Sequence, residues 1–235
     1  MGTPHLVHGL PYRVRIAGEG TDWLRLELEG VPTSLGNALR RLVINEVPTM
    51  AVEEVLVIEN TSVMVNEVLA HRISLIPFTT DLENYVMPEE CDCGSQLGCS
   101  RCSVRFSLRK SAQGGPVTVY SSDIQRESGS ESVRPVSGDF QIVRLAENQS
   151  VELELYVRLG KGKRHAKWQS GIATLYDEDD KKYLYVESFG FLPPRIMTLA
   201  AAKIFEENVK RLTDSVVAAV GGWDGEDGEE QQASS

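Results

Sequence analysis

Four cysteines, Cys91, Cys93, Cys99 and Cys102, stand close together in the 235-residue chain, and no other cysteine occurs. Their spacing is C-x-C-x5-C-x2-C. Two close pairs joined by a short loop let four thiolates close on one tetrahedral ion, with metal–sulfur bonds of ~2.3 Å. Gly94 and Gly98 allow the backbone to turn sharply between the pairs. A disulfide framework would scatter its cysteines along a short secreted chain, so the clustering predicts a metal and a reducing compartment. The expected ion is one structural Zn2+ per chain, which stabilises a loop too small to build its own core. An iron–sulfur cluster, which also takes four thiolates, is the alternative. A catalytic zinc would leave an open position and usually employ histidine, which disfavours a metalloenzyme centred on this loop.

Other chemistry is sparse. Asp177-Glu178-Asp179-Asp180 invites a magnesium reading. However, adjacent strand residues point to opposite faces, and Lys181 and Lys182 follow at once, so a solvated turn is expected. His71 reads as a packed or hydrogen-bonded histidine. The basic stretch Gly160-Lys161-Gly162-Lys163-Arg164-His165-Ala166-Lys167-Trp168 reads as a solvated loop. Its alternative is single-stranded nucleic-acid contact through phosphate pairing and stacking on Trp168. No catalytic residue is predicted, because the only carboxylate cluster is this charged turn.

The net charge is −10, and Asp224, Glu226, Asp227, Glu229 and Glu230 carry five of those charges after Val220. Residues 221–235 are therefore expected to be a disordered acidic tail. The mildly acidic remainder argues against a large phosphate-binding surface. No apolar run is long enough to span a membrane, and the first residues lack the pattern of a signal peptide. A cytoplasmic location is the expectation.

The elements that would position the cysteines are mostly strands. Residues 12–16 and 23–29 read as two strands, the second with Leu24, Leu26 and Leu28 alternating against Arg25, Glu27 and Glu29. Further strands are expected at 51–59, around Val104, Phe106 and Leu108, at Val117 and Val119, at 151–157, and as a hairpin over 172–187. Residues 121–138 read as an exposed polar loop, and 66–77 as a short amphipathic helix. Two helices are more prominent. In residues 33–46, Leu35, Ala38, Leu39, Leu42 and Val43 form an apolar face, with Thr33 or Ser34 as the expected cap. After Pro193-Pro194, a longer helix carries Ile196, Leu199, Phe205, Val209, Leu212, Val216 and Val220 as a stripe and ends at Gly221-Gly222. That stripe covers more surface than one small sheet needs, so part of it is expected to bury against another chain.

The string Leu35-Gly36-Asn37-Ala38-Leu39-Arg40-Arg41 resembles the signature helix of the alpha-type assembly subunits of cellular RNA polymerases. That family includes the bacterial alpha subunit, the archaeal D subunit and the third subunit of the eukaryotic enzymes. Glu67-Val68-Leu69-Ala70-His71-Arg72-Ile73-Ser74-Leu75-Ile76-Pro77, His165-Ala166-Lys167-Trp168, and the segment from Glu187-Ser188-Phe189-Gly190 to Leu212 resemble three further family segments in the same order. The cysteine loop falls where zinc-bearing members carry theirs. Short length and an acidic tail look more archaeal than eukaryotic. Some archaeal members carry an additional iron–sulfur domain after the His-Ala-Lys-Trp loop. The short stretch from Trp168 to Tyr183 holds no cysteine, so that domain is not expected.

The resemblance implies an α+β fold in two parts. A dimerisation domain, a sheet with two long helices on one face, would be split over residues 1–47 and 163–220. A mostly-β domain inserted at 48–162 would carry the four-cysteine metal loop at 91–102. It implies a non-catalytic assembly subunit of a multisubunit DNA-directed RNA polymerase. Leu35, Leu39, Leu42, Phe205, Val209, Leu212 and Val216 would bind a small L-type subunit. Arg40 and Arg41 would border the surface for the large catalytic subunit, and small zinc-bearing assembly subunits would complete the set. DNA and RNA would be met only through the complex. A stand-alone zinc-bearing nucleic-acid-binding protein is the alternative.

Overall fold

The computed structural model describes residues 12–220; the expected acidic tail lies outside the described residues. The chain opens with the hairpin β1 (Arg13–Glu19) and β2 (Trp23–Glu29), followed by helix α1 (Thr33–Asn45). Then come β3 (Pro48–Asn60), α2 (Asn66–Ser74), β4 (Val104–Ser111), β5 (Val117–Tyr120), β6 (Ile124–Arg126), β7 (Gln141–Leu145) and β8 (Ser150–Lys161). The hairpin β9 (Gly171–Glu178) and β10 (Lys181–Ser188) leads into α3 (Pro194–Val220). Among the described residues, no helix is long and apolar enough to cross a membrane.

Among the described residues the strands form three antiparallel sheets, ordered β1-β2-β10-β9, β3-β8-β4-β6 and β5-β7. The first draws its strands from two stretches far apart in sequence. Leu24, Leu26 and Leu28 of β2 and Leu184 and Val186 of β10 point to one face. They meet Val43 of α1 and Met197 and Ala201 of α3 in one core. α1 packs on β9 and β10, and α3 on β10 and β2. Gly36 is buried in this packing, facing the Leu175 side chain of β9. The expected Thr33 or Ser34 cap is not made. Pro32 occupies the cap position, and no side chain bonds the first turn.

The second core lies under β8, an inner strand of its sheet. Val151, Leu153, Leu155 and Val157 alternate inward along it and pack with Leu69, Ile73, Phe78, Phe106 and Leu108. His71 is exposed on α2 rather than packed. Residues 121–138 are not simply an exposed loop: β6 lies within them, and Val133 is fully buried. The hairpin turn places Asp179 and Asp180 at φ 50° and 59°, as two-residue hairpin turns require. Lys182 pairs with Asp177 at 2.8 Å, and Glu178 pairs with Arg25. The acidic run is thus partly neutralised.

The basic loop after β8 is exposed from Lys163 to Ala166, as expected of a solvated loop, but its end at Lys167 and Trp168 is not and joins the two cores. Trp168 is only 1% exposed, and its indole N–H donates to the Arg158 carbonyl at 3.2 Å. Thr49 donates to the Trp168 carbonyl at 2.8 Å, and Ser170 to that of Val43 at 2.6 Å. The Lys167 ammonium sits 4.3 Å from the indole centroid and pairs with Glu53 at 2.5 Å. Arg164 pairs with the same carboxylate at 2.7 Å. The indole lies flush on Gly160, where a Cβ would come within 2.3 Å of the ring. Trp168→Ala is therefore expected to destabilise the chain by about 3–5 kcal/mol, read as a lowered urea midpoint. A loss below about 1 kcal/mol would show that the indole does not tie the two cores together.

Candidate metal centre and apolar surfaces

The cysteine loop leaves the second core after a short turn of 3-10 helix, Pro88–Glu90, and rejoins it at β4. Between Cys91 and Arg101 no side chain is buried, so apolar packing does not hold this segment. Backbone turns bring the ligands together. The amides of Cys102 and Ser103 donate to the Cys99 carbonyl at 3.0 and 2.9 Å, and the Cys99 amide faces Cys102 Sγ at 3.3 Å. Gly94 and Gly98 are both in the left-handed region, at φ 60° and 81°, as expected for the turns between the pairs.

All four Sγ atoms lie within 4.8 Å of one another. Cys91–Cys99 is 3.7 Å, and Cys93–Cys102 and Cys99–Cys102 are each 3.9 Å. Disulfide bonds are far shorter, at ~2.05 Å. Four sulfurs ~2.3 Å from a common centre stand about 3.8 Å apart at the corners of a tetrahedron, so the array fits one metal ion. The thiols differ in readiness. The Arg101 amide beside Cys99 holds that thiol down at about 6, against the cost of burial. Burial pushes Cys102 up to about 12. Metal binding takes the thiolate form of every ligand and therefore releases protons. Arg101 pairs with Asp92 on the outer side of the loop.

The helices leave apolar surface uncovered. α3 buries Pro194, Met197 and Ala201 near its start, with Ala200 and Ile204 half-buried. Beyond Phe205 every described residue of α3 is exposed. At ~100° per residue, Phe205, Val209, Leu212, Val216 and Val220 share one side of the helix. Ile196 and Leu199 emerge on the other side, so the single stripe read in the sequence resolves into two. Leu212 is 65% exposed and Val216 50%. Phe205 lines a groove of about 530 Å3 with Ala38, Arg41 and Leu42 of α1. Leu35 is half-buried, while Leu39 and Leu42, also half-buried, pack against this chain's own core. Arg41 is exposed, and Arg40 donates to Asn37 Oδ1 at 3.2 Å.

The reading of the sequence missed β1 as part of this surface. Val14 stands opposite Leu28 and Ile16 opposite Leu26, and directly paired residues share a face. Both therefore lie on the helix-covered side of the sheet, yet they are 57% and 48% exposed. The alternation of Val14 and Ile16 with Arg13 and Arg15 was the available signal.

Residues 56–177 match the family described as RNA polymerase Rpb3/RpoA insert domain. The chain is similar to DNA-directed RNA polymerase subunit Rpo3 of Pyrobaculum aerophilum, 46% identical over 165 residues, which is 70% of this chain and 62% of that protein. The Methanosphaera stadtmanae Rpo3 is 46% identical over 61% of this chain and 52% of its own length. The Methanothermobacter thermautotrophicus Rpo3 is 42% identical over 63% and 55%. The chain thus spans less than two thirds of the length of these relatives.

Proposed function

This chain belongs to the RNA polymerase Rpb3/RpoA family, and we propose from that membership that it is a non-catalytic assembly subunit of a multisubunit DNA-directed RNA polymerase. It works in the cytoplasm by pairing with a small L-type subunit, and the heterodimer forms the platform that recruits the large catalytic subunits and the small zinc-bearing ones. The dimerisation domain comprises residues 1–47 and 163–220, and the inserted domain 48–162. The observation that carries the reading is α3, whose apolar side at Val209, Leu212 and Val216 is covered by none of the described residues. A large exposed apolar patch on a helix favours burial against another chain. Leu35, Leu39 and Leu42 contribute from α1, shared between the chain's own core and the partner. Arg40 and Arg41 border the surface for the large subunit, where a guanidinium pairs bidentately with carboxylate or stacks.

The cysteine loop holds one structural zinc through Cys91, Cys93, Cys99 and Cys102. The sulfur separations suit a single ion with no open position, whereas a polynuclear iron–sulfur cluster distributes its thiolates over several irons. When bound, the ion cross-links the loop and supplies no reaction. A stand-alone nucleic-acid-binding role draws no support from the basic loop, whose indole is buried and whose Lys167 and Arg164 are paired.

Co-expression tests the reading. The chain and a small L-type subunit are expected to co-purify as a one-to-one heterodimer by light scattering, and the chain alone to self-associate. A well-behaved monomer that ignores the L-type subunit would overturn the proposal.

A further inference from the structure

Arg158 lies on β8 beneath the cysteine loop and is buried, with 8% of its surface exposed. Its Nη2 donates to the Gln96 carbonyl at 2.5 Å, which ties it to the five-residue span between the cysteine pairs. Its Nε is buried and has no partner. Of the three carboxylates that share a cavity with Arg158, Glu53 pairs with Lys167 and Arg164 and Glu89 with Arg164, while Glu54 lies beyond ion-pair distance of Arg158. Among the described residues no carboxylate pairs with Arg158. A buried cation without a paired counter-charge is disfavoured, so further negative charge close to Arg158 would stabilise it.

Ser103, beside the last cysteine, is also buried, and its Oγ also lacks a partner. Of the three buried polar side-chain atoms without a partner among the described residues, two are therefore at this loop. Both groups border the same small space. A Cβ placed on Gly98 would stand 2.7 Å from Ser103 Cβ, 3.1 Å from Cys102 Sγ and 3.3 Å from Arg158 Nε. The absence of a side chain at Gly98 is what lets these groups pack this closely.

We propose that Arg158 and Ser103 are outer-shell groups of the metal centre beside Cys102, and that the Arg158 charge offsets the metal–thiolate dianion. The inference rests on the reading that the four cysteines hold a divalent metal. Four thiolates on such an ion carry a net charge of −2, which is the counter-charge that Arg158 lacks. Outer-shell donors fix ligand orientation and tune the site. Arg158 is a positioning residue in two senses: it holds the Gln96 carbonyl, and it stabilises the charge on Cys102.

The test uses the full chain. Metal content is measured by elemental analysis, and zinc release is followed with a chromogenic chelator, for the wild type, Arg158→Gln, Arg158→Lys and Ser103→Ala. Arg158→Gln is expected to weaken zinc retention roughly 10–100-fold. Arg158→Lys should fall between, since it keeps the charge but not the planar fork, and Ser103→Ala should release zinc faster than the wild type. In cobalt-substituted protein, the thiolate-to-cobalt charge-transfer bands are expected to move in Arg158→Gln, which a purely packing contribution would not cause. Wild-type release with unmoved cobalt bands in folded Arg158→Gln overturns the inference. So does equal loss in Arg158→Gln and Arg158→Lys with unmoved bands. If Arg158→Gln does not fold, wild-type release in both Arg158→Lys and Ser103→Ala overturns it. A wild-type chain that carries no metal sinks the metal reading itself, before any variant is compared.

Discussion

Leu212→Asp is expected to abolish pairing with the small subunit while leaving this chain folded. Leu212 is 65% exposed, so its replacement removes little from the chain's own core. In the heterodimer the same side chain would be buried. Losing a buried leucine costs about 1.5–3 kcal/mol, and burying an unpaired carboxylate adds several kcal/mol more. A weakening of at least ~100-fold follows, since each 1.4 kcal/mol is tenfold. Val209→Asp and Val216→Asp share that side of α3 and should behave alike. Lys210→Asp, on the opposite side of the helix, is the control and should pair normally. The choice of residue matters. Leu39 and Leu42 on α1 pack against this chain's own core, so a charge there would damage the fold and the interface together. Circular dichroism of each variant beside its elution with the partner separates the two effects. Unchanged heterodimer in all three α3 variants would remove that helix from the interface.

The parts of this molecule that were legible in the sequence are those governed by local spacing. The C-x-C-x5-C-x2-C pattern sets how the thiolates can converge, because the turns that fold it lie within a few residues. The alternation in β8 was legible for the same reason: a half-buried strand repeats every two residues. The helical stripe was legible as apolar periodicity but not in phase. Ile196 and Leu199 read as continuous with Phe205 by spacing, although ~100° per residue already puts them on the other side. What escaped was set by distant partners. Lys167 and Arg164 suggested a solvated basic loop, and nothing nearby in sequence shows that Glu53, more than a hundred residues away, pairs with both. Val133 sits in a polar stretch that reads as a loop, yet it is buried by Phe106, Leu108 and their neighbours in the second core. The orphan donors of Arg158 and Ser103 were likewise invisible, since burial creates the demand for a partner and burial is a property of the fold.

Removing the metal is expected to unfold the cysteine loop and spare the rest of the chain. No side chain from Cys91 to Arg101 is buried, so no apolar core would hold the loop once the cross-link is gone. For comparison, structural zinc in small domains contributes on the order of 10 kcal/mol to folding. Chelation should therefore strip hydrogen-exchange protection from the amides of Cys99, Cys102 and Ser103, whose bonds define the turns. The amides of β2 and β10, held by their own sheet and the helices above it, should keep theirs. Cys102→Ser should have the same effect without a chelator, and it should weaken zinc retention by more than the roughly 100-fold that an outer-shell change can cost. Acid should act in the same direction, because protons compete with the metal for every thiolate. If protection around Cys99 and Cys102 survives metal removal, the loop is held by its backbone turns alone, and the ion is a passenger rather than the element that folds it.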